Sequence, residues 1–246
     1  MCHNDGLSER SKQVRRDTIK LSKAHGGYHY GGCFSATEIL ITLYDILTPD
    51  DRFILSKGHA CWPYYVLLQE KGFSPKLEGH PSYDPENGVH CSTGSEGHGL
   101  PVGIGMAMAK KMKNEPGIVY VLMGDGECQE GTTWESLLIA SHHKLDNLVI
   151  IIDFIKIQGA GFVDDILPVN KIDEIAVLLG WFVSEAGGHD CKELMDVITY
   201  RLKDLPRMII AHTVKGKGVS YMENNPAWHA NWPDEEHEKQ ALEELK

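Results

Sequence analysis

Asp125 stands between Gly124 and Gly126, directly after the apolar run of residues 117–123 and before a helical pattern over 131–143. A short β-branched run of that kind reads as a buried strand, too brief for a helix. The aspartate then lies at the carboxyl end of a strand, the edge where open α/β sheets bind ligands. Two glycines let the backbone approach a ligand closely. A carboxylate beside a helix start suits a divalent cation holding phosphate oxygens. The same residues equally fit a tight strand-to-helix turn with Asp125 as its N-cap, and local sequence leaves both readings open. Several other polar, glycine-containing loops are expected at the same edge. They are His29 with Gly31-Gly32, Lys57-Gly58-His59, Gly79-His80-Pro81 and the stretch 92–97 that holds Gly94 and Glu96.

The elements that must position these residues alternate along the chain. Helices are expected over 7–24, from Ser35 to about 47, from about 60 to 71, over 99–112, 131–143, 172–179 and 191–202, and at the charged end. Ser35 with Glu38 three residues on reads as a capping box. Strands are expected over 52–55, 117–123, 148–153, 181–185 and 207–212. Residues 25–33 carry four glycines and read as a loop with unusual backbone angles. The stretches 72–98 and 154–170 read as long loops, which in compact domains are usually functional. Strands alternating with helices of this length predict an α/β fold with a doubly wound, mostly parallel sheet and helices on both faces. With no repeat and no linker, residues 1–246 read as a single domain.

Bulk properties exclude several function classes. The formal net charge is −11, which argues against a nucleic-acid partner that would need a basic stripe. The longest apolar runs are far too short to span a bilayer, and the polar N-terminal stretch has no signal core, so a cytoplasmic protein is expected. Six cysteines show no C-x-x-C pair or disulfide spacing, and read as thiols in a reducing compartment.

Taken together, the motifs resemble the N-terminal, diphosphate-binding half of a transketolase, in the form encoded as a separate polypeptide. His29-x-Gly-Gly-x-x-Ser35, the run 55–60, Gly79-His80-Pro81, the run 93–99, the run 124–135, the run 144–148 and the run 214–218 follow the family's order and spacing over nearly the whole chain. The resemblance implies thiamine diphosphate as cofactor, with Mg²⁺ (or Ca²⁺ or Mn²⁺) bridging its diphosphate. It implies Asp125 and the backbone carbonyl of Ile157 as metal ligands. Gly124, Gly126, Glu127, Gly94, His59 and, by a looser match, His229 would line the cofactor. His29 and His80 would face substrate, and Glu130 and Glu135 would lie at a subunit interface linking paired active sites. The implied reaction transfers a two-carbon ketol unit between sugar phosphates. The family's activating glutamate sits in the other, pyrimidine-binding half. A separate C-terminal partner chain is therefore expected, within an α2β2 heterotetramer.

Two positions depart from the pattern. Ile155 stands where the family places a metal-ligating asparagine, and its side chain cannot coordinate a cation. Glu96 replaces an aliphatic residue near the cofactor rings. It could repel the diphosphate, pair with the thiazolium, serve a new substrate or turn out to solvent. These departures motivate two alternatives: a non-catalytic or cofactor-impaired partner subunit, and a thiamine diphosphate enzyme with a different acceptor, as in specialised metabolism or the deoxyxylulose phosphate synthases.

Overall fold

The structure, a computed structural model, describes residues 7–246. Cys2 lies outside the described residues. The helices are α1 (Glu9–Ala24), α2 (Tyr30–Ser35), α3 (Thr37–Ile46), α4 (Cys61–Glu70), α5 (Gly99–Lys113), α6 (Gly131–His142), α7 (Val163–Ile166), α8 (Ile172–Leu178), α9 (Cys191–Thr199) and α10 (Glu235–Glu244). The main strands are β1 (Arg52–Leu55), β2 (Val119–Gly124), β3 (Leu148–Phe154), β6 (Phe182–Gly187) and β7 (Arg207–His212), with a small hairpin β4 (Ile157–Gln158) and β5 (Gly161–Phe162). The five main strands form one sheet in the order β1-β2-β3-β7-β6. Every pairing in it is parallel.

The four strands β1, β2, β3 and β7 are largely apolar on both faces, as a parallel sheet covered on both sides requires, whereas the edge strand β6 is only partly buried. Alternation then divides them between two cores. Phe53, Leu55, Tyr120, Leu122, Val149, Ile151 and Ile209 pack with the apolar faces of α1–α4, α9 and α10. Ile54, Val121, Met123, Ile150, Ile152, Met208 and Ile210 pack with α5, α6 and α8 on the other side. Each such side chain, fully buried, contributes about 1.5–3 kcal/mol relative to exposure. No helix among the described residues is long and apolar enough to cross a membrane. Cys33, Cys61 and Cys128 are buried thiols.

Three expectations are corrected. Ser35 does not cap α3: it ends α2, and Ala36 occupies the cap without a side-chain bond. The Ser35 hydroxyl instead donates to Gly32 O and to Asp153 Oδ2, at 2.6 Å for the latter. Glu38, the other half of the expected box, is buried against Arg15 at 2.6 Å and His189 at 2.7 Å. Second, the glycine-rich loop already turns helical at Tyr30. Gly31 and Gly32 serve contact there, because a Cβ at Gly31 would lie 3.0 Å from Trp228 O and one at Gly32 would lie 3.1 Å from His59 Nε2. Third, β2 starts at Val119, two residues later than expected, since Gly117 adopts φ 97°, in the left-handed region.

Candidate functional site

Four adjacent parallel strands end at one edge of the sheet, and each delivers polar groups there. After β1 come Ser56, Lys57 and His59. After β2 come Asp125, Gly126 and Glu127. Asp153 lies near the end of β3, which leads into Ile155 and Ile157, and β7 leads into Thr213 and Lys215. Together with Glu96 and His229 these loops enclose a cavity of about 280 Å³, near the lower end of ligand-pocket sizes.

Under the cavity lies a buried ion pair. Lys57 Nζ donates to Asp153 Oδ2 at 2.5 Å with both side chains fully buried. Ser35 and Thr213 donate their hydroxyls to the same carboxylate, so its lone pairs are satisfied, which a buried charge requires. Burial opposes the charge on Lys57, but Asp153 outweighs it and holds the ammonium above its ordinary pKa. Lys215 is buried too, and its Nζ donates to Ile157 O at 3.2 Å and lies 3.0 Å from His229 Nδ1. Burial, aided by repulsion from Lys57, lowers it to about 8.

Asp125 is buried at the tip of β2. One carboxylate oxygen accepts from Gly126 N at 2.9 Å, and the other accepts from Lys156 N. The Gly126 bond is the local turn that the sequence allows, and it coexists with the cavity position. Burial raises Asp125 to about 6. Glu127 also borders the cavity, but its oxygens accept from Ser56 Oγ at 2.5 Å, Gly97 N at 2.8 Å and Gly124 N at 3.1 Å. It therefore ties three loops together, and burial pushes it up to about 7.

Three imidazoles form a triangle at the rim. His29, His59 and His229 have ring centroids 5.3, 5.3 and 5.5 Å apart. Burial and mutual repulsion lower His29 to about 3 and burial with Lys215 lowers His229 to about 4. His59 is lowered too, chiefly by burial. All three are thus neutral near pH 7, each with one ring donor and one acceptor. His29 adopts φ 71°, an uncommon backbone for a non-glycine residue, of a kind that clusters at functional sites. His80 reaches the same region: its ring lies 3.1 Å from where a Cβ on Gly94 would be. Glu130 borders the cavity and packs against Gly97. Glu96 lies at the mouth of the cavity, its side chain 45% exposed, with Oε1 3.0 Å from His59 Nδ1.

The groups present fit a diphosphate. Two ammoniums, the His59 and His229 imidazoles and the Gly126 backbone line the cavity, whereas the buried Gln158 Oε1, without a partner among the described residues, is an acceptor and suits a cation rather than the phosphate. Fewer donors exist for a cation. Asp125 and the Ile157 carbonyl offer oxygens, whereas Ile155, 8% exposed, presents only hydrocarbon. Among the described residues no group of three His, Cys, Asp or Glu side chains could hold a metal ion. Mg²⁺ commonly takes one or two carboxylates and completes its shell with phosphate and water, so these donors suit a cation that a diphosphate helps to bind. Sequence reasoning gave no role to Lys57, Lys215, Asp153 or Gln158, although Lys215 lies in the quoted 214–218 motif.

The family model "Transketolase, thiamine diphosphate binding domain" matches residues 21–244. The chain is 39% identical to one subunit of the apulose-4-phosphate transketolase of Actinobacillus succinogenes, with 98% of this chain and 96% of that one covered. It is 32% identical to the 6-deoxy-6-sulfo-D-fructose transketolase subunit SqwG of a Clostridium species, with 98% and 96% covered. The transketolase structure from Campylobacter jejuni superposes with a TM-score of 0.83 at 28% identity, over 96% of this chain and 42% of that one. The chain thus spans less than half of that enzyme and nearly all of the two separate subunits. This match over almost the whole chain places it in the transketolase thiamine diphosphate-binding domain family.

Proposed function

We propose that this chain is the coenzyme-holding subunit of a two-chain transketolase-like enzyme that transfers a two-carbon ketol unit between a sugar or sugar-phosphate donor and acceptor. The observation that carries this conclusion is the convergence of Lys57, Asp125, Lys215, His59 and His229 from three parallel strand ends and the C-terminal segment around one polar cavity. Thiamine diphosphate supplies, when bound, a nucleophilic carbon and an electron sink. Lys215, His59, His229 and the Gly126 backbone hold the diphosphate. Asp125 and the Ile157 carbonyl hold a Mg²⁺, Ca²⁺ or Mn²⁺ ion, with no help from Ile155. His29 and His80 face substrate, where neutral imidazoles can hydrogen-bond sugar hydroxyls and move protons. Glu130 faces a neighbouring subunit.

A cavity of this size takes one end of a coenzyme, and a second chain must cover the rest. The names of the two separate relatives, both called subunits, support such a partner. We assign it the pyrimidine-binding half, in an α2β2 heterotetramer. Those names also point to phosphorylated or sulfonated sugars as the substrate class.

Calorimetry on the two assembled chains tests the assignment. Saturable, Mg²⁺-dependent binding of thiamine diphosphate together with ketol transfer is expected. Ile155 favours a second reading, a subunit that keeps the fold and has lost the cofactor. Absence of binding in the parent and in Ile155→Asn alike would select it.

A further inference from the structure

Glu96 is a carboxylate in a cavity built to receive an anion. Burying a diphosphate there adds two to three negative charges beside Asp125 and Glu96. Of the two ammoniums, Lys57 is already committed to Asp153, which leaves Lys215. Further positive charge must come from a cation or from protons. The groups at the cavity that can gain a proton near neutral pH and become cationic are imidazoles. Around His59 stand His29 at 5.3 Å, His229 at 5.5 Å and Glu96 at 3.0 Å, with the ammoniums of Lys57 and Lys215 beyond and His80 near His29. Among the three clustered imidazoles, His229 Nδ1 faces the Lys215 ammonium and His29 Nδ1 is buried without a partner among the described residues. His59 alone of the three has a carboxylate at Nδ1.

Resting on the function proposed above, we propose that Glu96 is a positioning residue for His59: it grips the ring through Nδ1 and makes His59 the group that takes a proton from solvent when a diphosphate enters the cavity. Before binding, neutral His59 donates its Nδ1 proton to Glu96, and Nε2, which faces Gly32, is the basic nitrogen. On binding, Nε2 gains the proton. The resulting imidazolium has the carboxylate at Nδ1 and would share the cavity with the ligand's negative charge, and both favour the charged form. Glu96 thereby turns from a repulsive neighbour of the diphosphate into half of a charge-neutral pair.

Titration calorimetry of thiamine diphosphate into the assembled two-chain enzyme, at one pH and fixed Mg²⁺ in HEPES and in Tris, reads the protons exchanged with buffer. The parent is expected to take up about one proton per site. Glu96→Gln is expected to lose at least half of that uptake, as is His59→Gln, and the double variant is expected to match His59→Gln, because the two residues act as one unit. A merely structural role for Glu96 would alter affinity and leave proton uptake alone. Unchanged uptake in Glu96→Gln, or losses that add in the double variant, would overturn the inference while leaving the proposed function standing. Failure of the parent to bind the coenzyme would overturn both.

Discussion

Lys57 Nζ lies 2.5 Å from Asp153 Oδ2, and the pair joins the end of β1 to the end of β3 across the intervening β2. Removing one charge strands the other in a dry interior. Lys57→Met or Asp153→Asn is expected to cost about 3–5 kcal/mol, read as a lower urea midpoint. Lys57→Met combined with Asp153→Leu is expected to recover most of that loss, since no unpaired charge remains. A single variant as stable as the parent would show that the pair does not hold the sheet edge.

Ile155 should limit cation affinity. Ile155→Asn adds one oxygen donor beside Asp125, and about tenfold tighter Mn²⁺ binding corresponds to about 1.4 kcal/mol. Electron paramagnetic resonance on the coenzyme-loaded, assembled enzyme measures free Mn²⁺ directly. Equal affinity in parent and variant would mean that position 155 does not face the ion.

Acid should destabilise the chain partly through His29. Its folded pKa is about 3 against an ordinary 6.5. Below about 6.5 the unfolded chain takes up a proton that the folded one refuses, so this contribution to stability is present above that pH and is lost progressively toward pH 3. His29→Asn keeps a residue that tolerates the left-handed backbone. Its urea midpoint is expected to fall less steeply with acidification between those pH values than that of the parent. Parallel curves would contradict the assignment.

Two glycines of α5 should respond with opposite signs. Among the described residues a Cβ at Gly105 meets nothing within 4 Å, whereas one at Gly103 would lie 2.5 Å from Val121 Cγ2. Gly105→Ala is expected to stabilise by about 0.5–1 kcal/mol through helix propensity. Gly103→Ala is expected to destabilise by about 1–3 kcal/mol through overpacking against β2. Thermal unfolding of both variants side by side checks the contrast.

Local patterns revealed most of the scaffold. The strands Arg52–Leu55 and Arg207–His212 have the bounds that their sequence suggests, because the interior of a buried parallel strand is apolar and polar residues mark its ends. Asp125 and His59 stand out through glycines and motif order, whereas His229 rested on a looser match. What stayed hidden depends on partners distant in the chain. Ser35 looks like a cap because Glu38 follows at the right spacing, yet its hydroxyl serves Asp153 and Glu38 serves Arg15. Lys57 and Lys215 lie in the quoted motif runs, but nothing in their local sequence shows that β1 and β7 bring both ammoniums into the same interior. For Glu96 the sequence offered several fates, and the contact that the structure shows, with His59 Nδ1, was not among them because it depends on the approach of two distant loops.

The strand order carries a consequence for biogenesis. β7, the last strand in the chain, inserts between β3 and β6 and leads directly into Lys215. A polypeptide emerging from the ribosome therefore has no complete grip on its coenzyme until Lys215 and His229 have been made. Ligand can then capture only molecules synthesised past that point, drawing the population toward the native state by mass action. Vitamin scarcity would accordingly register in a smaller pool of this polypeptide, beyond the idle catalyst it leaves.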